Sequence, residues 1–212
     1  MTFDADGISE IDAGFDISVT METLATIESF SVRTASEING LKTTYTFTLT
    51  TRYVFIDGDN LKFSVPPEVT LPGTVEELNV QPLPRIVDGE SVSDDLRVDF
   101  SGQTVIVTFV KVAPTTETYK FTLDNIKNPP SEQRSGGFVN IISTNKENWN
   151  VQEYVVERPD EPPTIQNKIP ATIVEHSLLQ YNSEPAAPTT YEIWFIPINP
   201  IPTQGSIQIS WP

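Results

Sequence analysis

The chain has 212 residues, the length of one large domain or two small ones. Its 29 acidic residues against 13 Lys and Arg give a net charge of −16, which argues against a nucleic acid partner, because binding a polyanion needs a basic patch. Cysteine is absent and there is one histidine, so a disulfide scaffold, a thiolate metal site and a cysteine nucleophile are excluded, and the usual histidine-based sites nearly so.

Apolar residues alternate with polar ones along most of the chain, as is typical of strands with one buried face. In 43–51, for example, Tyr45, Phe47 and Leu49 share a face and threonines occupy the other. The pattern predicts strands at 15–21, 27–32, 43–51, 60–65, 98–100, 105–112, 119–123, 138–143, 151–156, 173–179, 191–196 and 206–211. No window of 11 or more residues has a helical period, and 75–78 is at most one helical turn. No apolar run approaches the roughly 18 residues of a membrane helix, so this segment is not expected to insert into a membrane.

Turn residues separate these runs. Asp57-Gly58-Asp59-Asn60 and Ser101-Gly102 each lie between two alternating runs, which predicts two β-hairpins. Residues 66–73 and 82–88 contain prolines that cannot donate to a ladder, so both stretches are predicted to be irregular. The expected fold is all-β, an antiparallel immunoglobulin-like β-sandwich with an insertion around residues 67–95.

An internal repeat appears when residue 25 is laid over residue 171, a displacement that we call the repeat offset. Without a gap, residues 25–66 then lie over 171–212, and nine of the 42 positions are identical. Ala-Thr-Ile at 25–27 matches 171–173, and Thr-Thr-Tyr at 43–45 matches 189–191. The alternation matches as well, with Phe47 over Ile193 and Leu49 over Phe195. The repeat predicts a complete β-sandwich at 25–170, the opening strands of an incomplete repeat at 171–212 and the closing segment of a preceding repeat at 1–24.

The motifs of these units resemble those of a known family. Thr189-Thr190-Tyr191 is followed by Asn199-Pro200-Ile201-Pro202 and then by Gly205–Pro212, and Asn128-Pro129-Pro130-Ser131 lies in the unit before. This order resembles the tandem immunoglobulin-like β-sandwich repeats of giant ciliate surface and secreted proteins, over about 25–212. The first unit departs from the pattern, because a DGDN turn in 52–60 replaces the NPxP turn. The resemblance implies an extracellular or cell-surface structural or adhesive protein, and it brings no catalytic residues.

Two acidic clusters are candidate calcium sites, because calcium takes clustered carboxylate and carbonyl oxygens. One lies near the start of the chain, where the full ligand order of an EF-hand is absent and a solvated acidic turn is the alternative; it comprises Asp4, Asp6, Glu10 and Asp12. The other flanks prolines in the linker between units, where calcium would neutralise mutual repulsion; it comprises Glu157, Asp160 and Glu161. Calcium is the one cofactor that these clusters suggest.

Other acidic residues have simpler interpretations. Asp57, Asp59 and Asn60 are predicted to be turn residues that tolerate left-handed backbone. Asp94, Asp95 and Asp99 lie at a strand start, where Asp95 and Asp99 share a face with Arg97 as its charge partners. A cation ligand is the less favoured alternative for each group.

The remaining candidates concern catalysis and aromatic contacts. His176 lies on the predicted strand 173–179 without a second histidine or a nucleophile motif, which indicates a surface or interface residue. No carboxylate pair stands out among 29, so no enzymatic activity is predicted. Trp194 falls on the face opposite Tyr191, Ile193 and Phe195 and is expected to be buried or to contact a neighbouring unit, with a carbohydrate platform as the alternative. Trp149 is predicted to seal the junction between units.

These observations predict a non-catalytic structural or adhesive module whose partners are neighbouring repeats or other copies of the chain. The alternative is a β-sandwich module that binds a glycan or a protein through loops at one end. Residues 171–212 expose unpaired strand edges in either case, so they are predicted not to fold in isolation.

Overall fold

A computed structural model of the chain describes residues 24–87, 90–112, 118–155, 162–199, 201 and 205–210. These residues form strands and one 3₁₀ turn at Val75–Glu77, where sequence allowed a single helical turn. The strands are β1 Ala25–Thr34, β2 Lys42–Thr51, β3 Asn60–Ser64, β4 Val80–Pro82, β5 Arg85–Val87, β6 Glu90–Val92, β7 Asp95–Ser101, β8 Thr104–Lys111, β9 Thr118–Lys127, β10 Val139–Thr144, β11 Asn150–Glu153, β12 Ile173–Gln180 and β13 Tyr191–Pro197. None of the helical structure in these ranges has the length and apolarity that crossing a bilayer requires.

Nine strands form one large, mostly antiparallel sheet in the order β4-β9-β2-β1-β11-β10-β3-β8-β7. The pairing of β1 with β11 is parallel and short, through Ala25 and Thr26. The rest of β1 pairs antiparallel with β2. Strands β5 and β6 form a separate two-stranded sheet, and β12 and β13 form another.

Alternation of apolar and polar residues explains where the strands form. In β2 the side chains of Tyr45, Phe47 and Leu49 are buried, and the threonines between them are partly exposed. Every predicted strand from 27–32 to 191–196 overlaps an observed strand, and the predicted strand 15–21 lies outside the described residues. The predicted hairpin at Ser101-Gly102 is confirmed, because β7 and β8 pair on either side of Gly102, which has a φ of +58°.

Aromatic side chains connect the two halves of the large sheet. Phe47 on β2 lies 5.0 Å from Phe63 on β3 and 5.2 Å from Phe121 on β9, measured between ring centroids. Phe55 stacks on Phe109 of β8 at 4.1 Å. Strands far apart in the sheet order therefore share one core, whose buried members include Ile27, Phe30, Leu61, Val105, Val107, Tyr119, Leu123 and Phe138.

The predicted hairpin at 57–60 is wrong. Strand β2 pairs with β1 and β9, whereas β3 pairs with β8 and β10, so the segment 52–59 connects the two halves of the sheet. The amide of Gly58 donates to Phe109 O at 2.7 Å, and the Phe109 amide donates to Asp59 O at 2.8 Å. Gly58 has the left-handed φ that the turn motif suggested, but the backbone of the turn hydrogen-bonds to β8 and does not join β2 to β3 as a hairpin.

Two further predictions fail at particular residues. Residues 85–87 were expected to be irregular but form β5, which pairs with β6. The irregularity predicted for 66–73 is confirmed, since no strand lies there. Residues 206–210 were expected to form a strand, but they have no strand structure. The segment one repeat offset earlier, β3, is held between β8 and β10, and 206–210 have no such neighbours among the described residues.

Candidate functional site

The hairpin β12–β13 repeats the pairing of β1 and β2. Ile27 pairs with Thr51 in the first hairpin, and Ile173 pairs with Pro197 in the second, so both strands are displaced by the repeat offset. The same displacement holds for all seven pairs of each hairpin, and both have a bulge between the first pair and the second. The displacement that aligns the two sequence segments therefore also aligns their strand pairings residue by residue, so the two hairpins have the same register.

The two hairpins differ in burial. Tyr45 and Phe47 are 0% exposed, whereas the matching Tyr191 and Ile193 are 43% and 38% exposed. The difference arises because Phe63 of β3 and Phe138 beside β10 pack on Phe47 of the first hairpin, whereas among the described residues β12 and β13 form a two-stranded sheet. The hairpin therefore presents apolar side chains without a covering layer from the described residues.

The segment between the large sheet and this hairpin is docked on the sheet. The Ser135 amide donates to Ile165 O at 2.9 Å, and the Ile165 amide donates back to Ser135 Oγ at 2.9 Å. Ile165 is buried, and the Phe138 amide donates to Pro163 O. Further along, the Asn39 amide donates to Ile169 O. These contacts attach 162–169 to the large sheet and bury Ile165 in its core, so the segment is a poor candidate for a flexible linker.

Asn128 ties the NPPS turn to the TTY strand. Its side-chain oxygen accepts a hydrogen bond from the Tyr45 hydroxyl at 2.8 Å, and its side-chain amide donates to Ser36 O at 2.7 Å and Ile38 O at 2.9 Å. Asn128 is buried, and burial raises the pKa of Tyr45 well above its ordinary value, so the hydroxyl stays a neutral donor. Tyr45 belongs to the Thr-Thr-Tyr motif and Asn128 to the Asn-Pro-Pro-Ser motif of the sequence, and this hydrogen bond joins the two motifs in the structure.

The turn after β13 contacts the loop between β1 and β2 at Gly40. The side-chain amide of Asn199 donates to Asn39 O at 3.3 Å, and a Cβ placed on Gly40 would overlap the side-chain oxygen of Asn199. Gly40 also has a φ of +65°, so its lack of a side chain serves both backbone and contact. Gly137 plays a similar part, since a Cβ there would overlap the ring of Pro162. The sequence interpretation missed this junction, although Asn39-Gly40 and Asn199-Pro200 are both turn-type dipeptides.

Both candidate interface tryptophans are accessible. Trp149 is 73% exposed in the turn between β10 and β11, and Trp194 is 50% exposed on β13 opposite Ser177. The proposed roles of Trp149 in sealing a junction and of Trp194 in a unit–unit contact stay predictions. His176 is exposed and pairs with Phe195 in the hairpin.

The calcium candidates belong to parts of the chain that the structure does not describe. Asp4, Asp6, Glu10, Asp12, Glu157, Asp160 and Glu161 all lie outside the described residues. Within the described ranges, no group of three or more His, Asp or Glu side chains is arranged to hold a metal ion.

The acidic residues of 57–60 serve the loop that they belong to. Asp57 Oδ1 accepts from the Val112 amide at 2.8 Å, Asp59 Oδ2 from the Ile56 amide at 3.0 Å, and Asn60 Oδ1 from the Thr108 hydroxyl at 2.7 Å. Partial burial raises the pKa of Asp59, the Ile56 hydrogen bond opposes this, and the nearby Glu147 carboxylate adds to the rise. Each of the three side chains thus accepts a hydrogen bond within its own loop or from β8 and its end, while Asp59 Oδ1 is buried without a hydrogen-bond partner among the described residues.

The strand start at 94–99 is similar. Asp95, Arg97 and Asp99 share the exposed face of β7, as the sequence parity predicted. The Phe100 amide donates to Asp99 Oδ1 at 2.7 Å, and between described residues no ion pair joins Arg97 to either aspartate. Asp94 is buried at the start of the strand. The predicted charge pairing is therefore wrong, because all three side chains extend into water.

Comparisons with known proteins give no further guidance. No protein-family model matches the chain, and no curated protein matches it.

Proposed function

We propose that the chain is a non-catalytic structural or adhesive module of an extracellular filament, cell coat or giant surface protein. In this proposal it is built from tandem immunoglobulin-like β-sandwich repeats that associate through neighbouring repeats and other copies. The observation that carries the proposal is the second hairpin, which repeats the register of β1–β2 at the repeat offset. A repeated supersecondary unit that lacks its own core needs a neighbour to bury its apolar face.

Packing inside the first unit supports the sandwich. Phe47 of β2 faces Phe63 of β3 and Phe138 beside β10, so aromatic rings from the two halves of the sheet meet in one layer. The inward residues of β8, Val105 and Val107, are fully buried. Two sheet halves with alternating inward side chains and a shared core are the arrangement of a β-sandwich.

The junction supports an extended array. The docked segment 162–169 and the contact of Asn199 with Gly40 join the second hairpin to the first unit at several points. The side chains of Asn199 and Pro162 lie directly against Gly40 and Gly137, and these close contacts favour a firm junction. Repeats joined in this way give a stiff, elongated protein whose function follows from its length and surface.

The proposal is tested on the protein from its native source. We expect an intact denatured mass far above the 23.6 kDa of this chain, together with labelling by a membrane-impermeant reagent on whole cells. A cytosolic protein in the same sample serves as the control for leakage. A mass close to that of this chain, combined with no labelling of intact cells, would contradict the proposal.

A second candidate, a module that binds a glycan or a protein, is favoured by one surface. Tyr53, Ile56 and Trp149 are exposed on two loops at the same end of the large sheet. The loops are neighbours, since a Cβ on Gly58 would lie 3.1 Å from the side chain of Lys146. Exposed aromatic and apolar groups on neighbouring loops suit sugar rings and protein contacts.

The two candidates are separated by a glycan array and a calcium titration. A module of the second kind binds a defined glycan, and Trp149→Ala abolishes that binding without changing the melting temperature. A structural array with calcium at its junctions instead shows a melting temperature that rises with calcium and no glycan preference.

A further inference from the structure

We propose that the open edge of β13 binds a β9-type strand of a further repeat by strand addition. The partner is an extended segment with large apolar side chains at alternate positions, and it pairs antiparallel with β13. This inference rests on the proposed function and identifies the chemistry of the partner at one surface.

The register of the first unit defines the expected contact. One edge of β2 pairs with β1, and the other pairs with β9 from Lys42↔Lys127 to Thr50↔Thr118. Strand β13 pairs with β12 as β2 pairs with β1, and within the described residues its other edge has no strand beside it. Tyr45, Phe47 and Leu49 lie opposite Leu123, Phe121 and Tyr119. Moving these pairs by the repeat offset places the matching partner side chains opposite Tyr191, Ile193 and Phe195.

The side chains on β9 show what the partner must carry. Tyr119, Phe121 and Leu123 are fully or almost fully buried, and Phe121 stacks on Phe47 with ring planes 12° apart. Ile193 occupies the place of Phe47 in the second hairpin and is more than a third exposed. A strand with apolar residues at positions matching those of β9 would cover Ile193 and satisfy the backbone groups of the open edge together.

Cysteine cross-linking tests both the contact and its register, because the chain has no cysteine of its own. The full chain carrying Glu192→Cys is mixed, in a thiol–disulfide buffer, with a ten-residue peptide of the β9 sequence, Thr118–Lys127. In the first unit Thr46 pairs with Thr122, so Glu192 should lie opposite the peptide's Thr122. Glu192 accepts a hydrogen bond from Tyr181, an exposed contact, so the backbone pairing of the hairpin should survive the substitution.

Two peptides give matched arms. A peptide with Thr122→Cys places its sulfur directly opposite residue 192, and one with Lys120→Cys places it two residues further along on the same face. Directly opposite Cα atoms are about 4.5–5.5 Å apart, within disulfide range, while diagonal ones are beyond it. We therefore expect at least about tenfold more mixed disulfide with the first peptide by mass spectrometry.

The alternatives are distinct outcomes. Equal yields from the two peptides, or no mixed disulfide with either, would overturn the register and with it the inference. Faster formation of a chain–chain disulfide than of the peptide adduct would show that β13 pairs with a second β13, which also overturns it. None of these results bears on the denatured mass of the protein from its native source or on its surface labelling, so the proposed function would be tested separately.

Discussion

Replacing Tyr45 by Phe tests whether the TTY and NPPS motifs form one structural unit. The Tyr45 hydroxyl donates to Asn128 Oδ1 at 2.8 Å in a site that solvent does not reach. Asn128 cannot turn its amide around without losing its bonds to Ser36 O and Ile38 O. Removal of the hydroxyl therefore leaves a buried acceptor without its donor, which costs about 1–3 kcal/mol in the free energy of unfolding.

Tyr191→Phe is the matched control, since it occupies the same place in the exposed hairpin. Water can replace a contact of its hydroxyl, so its effect should stay within about 0.5 kcal/mol. The free energy of unfolding falls by about 2 kcal/mol per molar urea, so Tyr45→Phe should lower the unfolding midpoint by roughly 0.5–1.5 M. Near-ultraviolet circular dichroism monitors the transition. Equal shifts for the two variants would refute the reasoning. A double-mutant cycle with Asn128→Ala should give a coupling energy of at least about 1 kcal/mol.

Backbone conformation, burial and charge give three more predictions. Gly40→Ala and Gly102→Ala each place an alanine in left-handed backbone, which costs about 1–2 kcal/mol in either variant. Of these two positions, only at Gly40 would the new Cβ meet another side chain, that of Asn199. Amide exchange in β12–β13 should therefore speed up in Gly40→Ala and stay unchanged in Gly102→Ala. Phe47→Ala should destabilise the protein by about 3–5 kcal/mol in urea unfolding, whereas Ile193→Ala at the matching exposed position should cost well under half of this. The raised pKa of Asp59 means that ionisation is less favourable in the folded state, so the wild type should lose stability relative to Asp59→Asn as pH rises from about 3 to 7, and a parallel pH dependence of the two proteins would contradict this.

Strand positions were readable from sequence because alternation is a local property. The Thr-rich run 43–51 has one possible apolar face, and β2 buries that face. Pairing partners were less readable. The turn 57–60 has the composition of a hairpin, yet β2 and β3 each find partners in distant parts of the chain, among them β9 and β8. Turn composition identifies where the chain bends, while the partner of each strand depends on the shared core.

The junction could not be predicted from sequence for a related reason. Asn39 and Asn199 are 160 positions apart, and neither belongs to a pattern that points to the other. Their contact depends on how the docked segment 162–169 places the second hairpin, and that in turn depends on Ser135 and Ile165. Long-range polar contacts of this kind leave no periodic trace in one sequence.

The two hairpins of this chain separate the contributions of pairing and burial. Both have the same register and the same bulge, although one is fully covered and the other is not. Pairing therefore follows from the strands and their local pattern, whereas burial of a large apolar side chain adds about 1.5–3 kcal/mol. Backbone amides of β2 should accordingly exchange only on global unfolding, while those of β13 exchange through local opening. If β13 proved as protected as β2 in the isolated chain, the hairpin would have a covering layer, and the surface proposed for a β9-type strand would already be occupied.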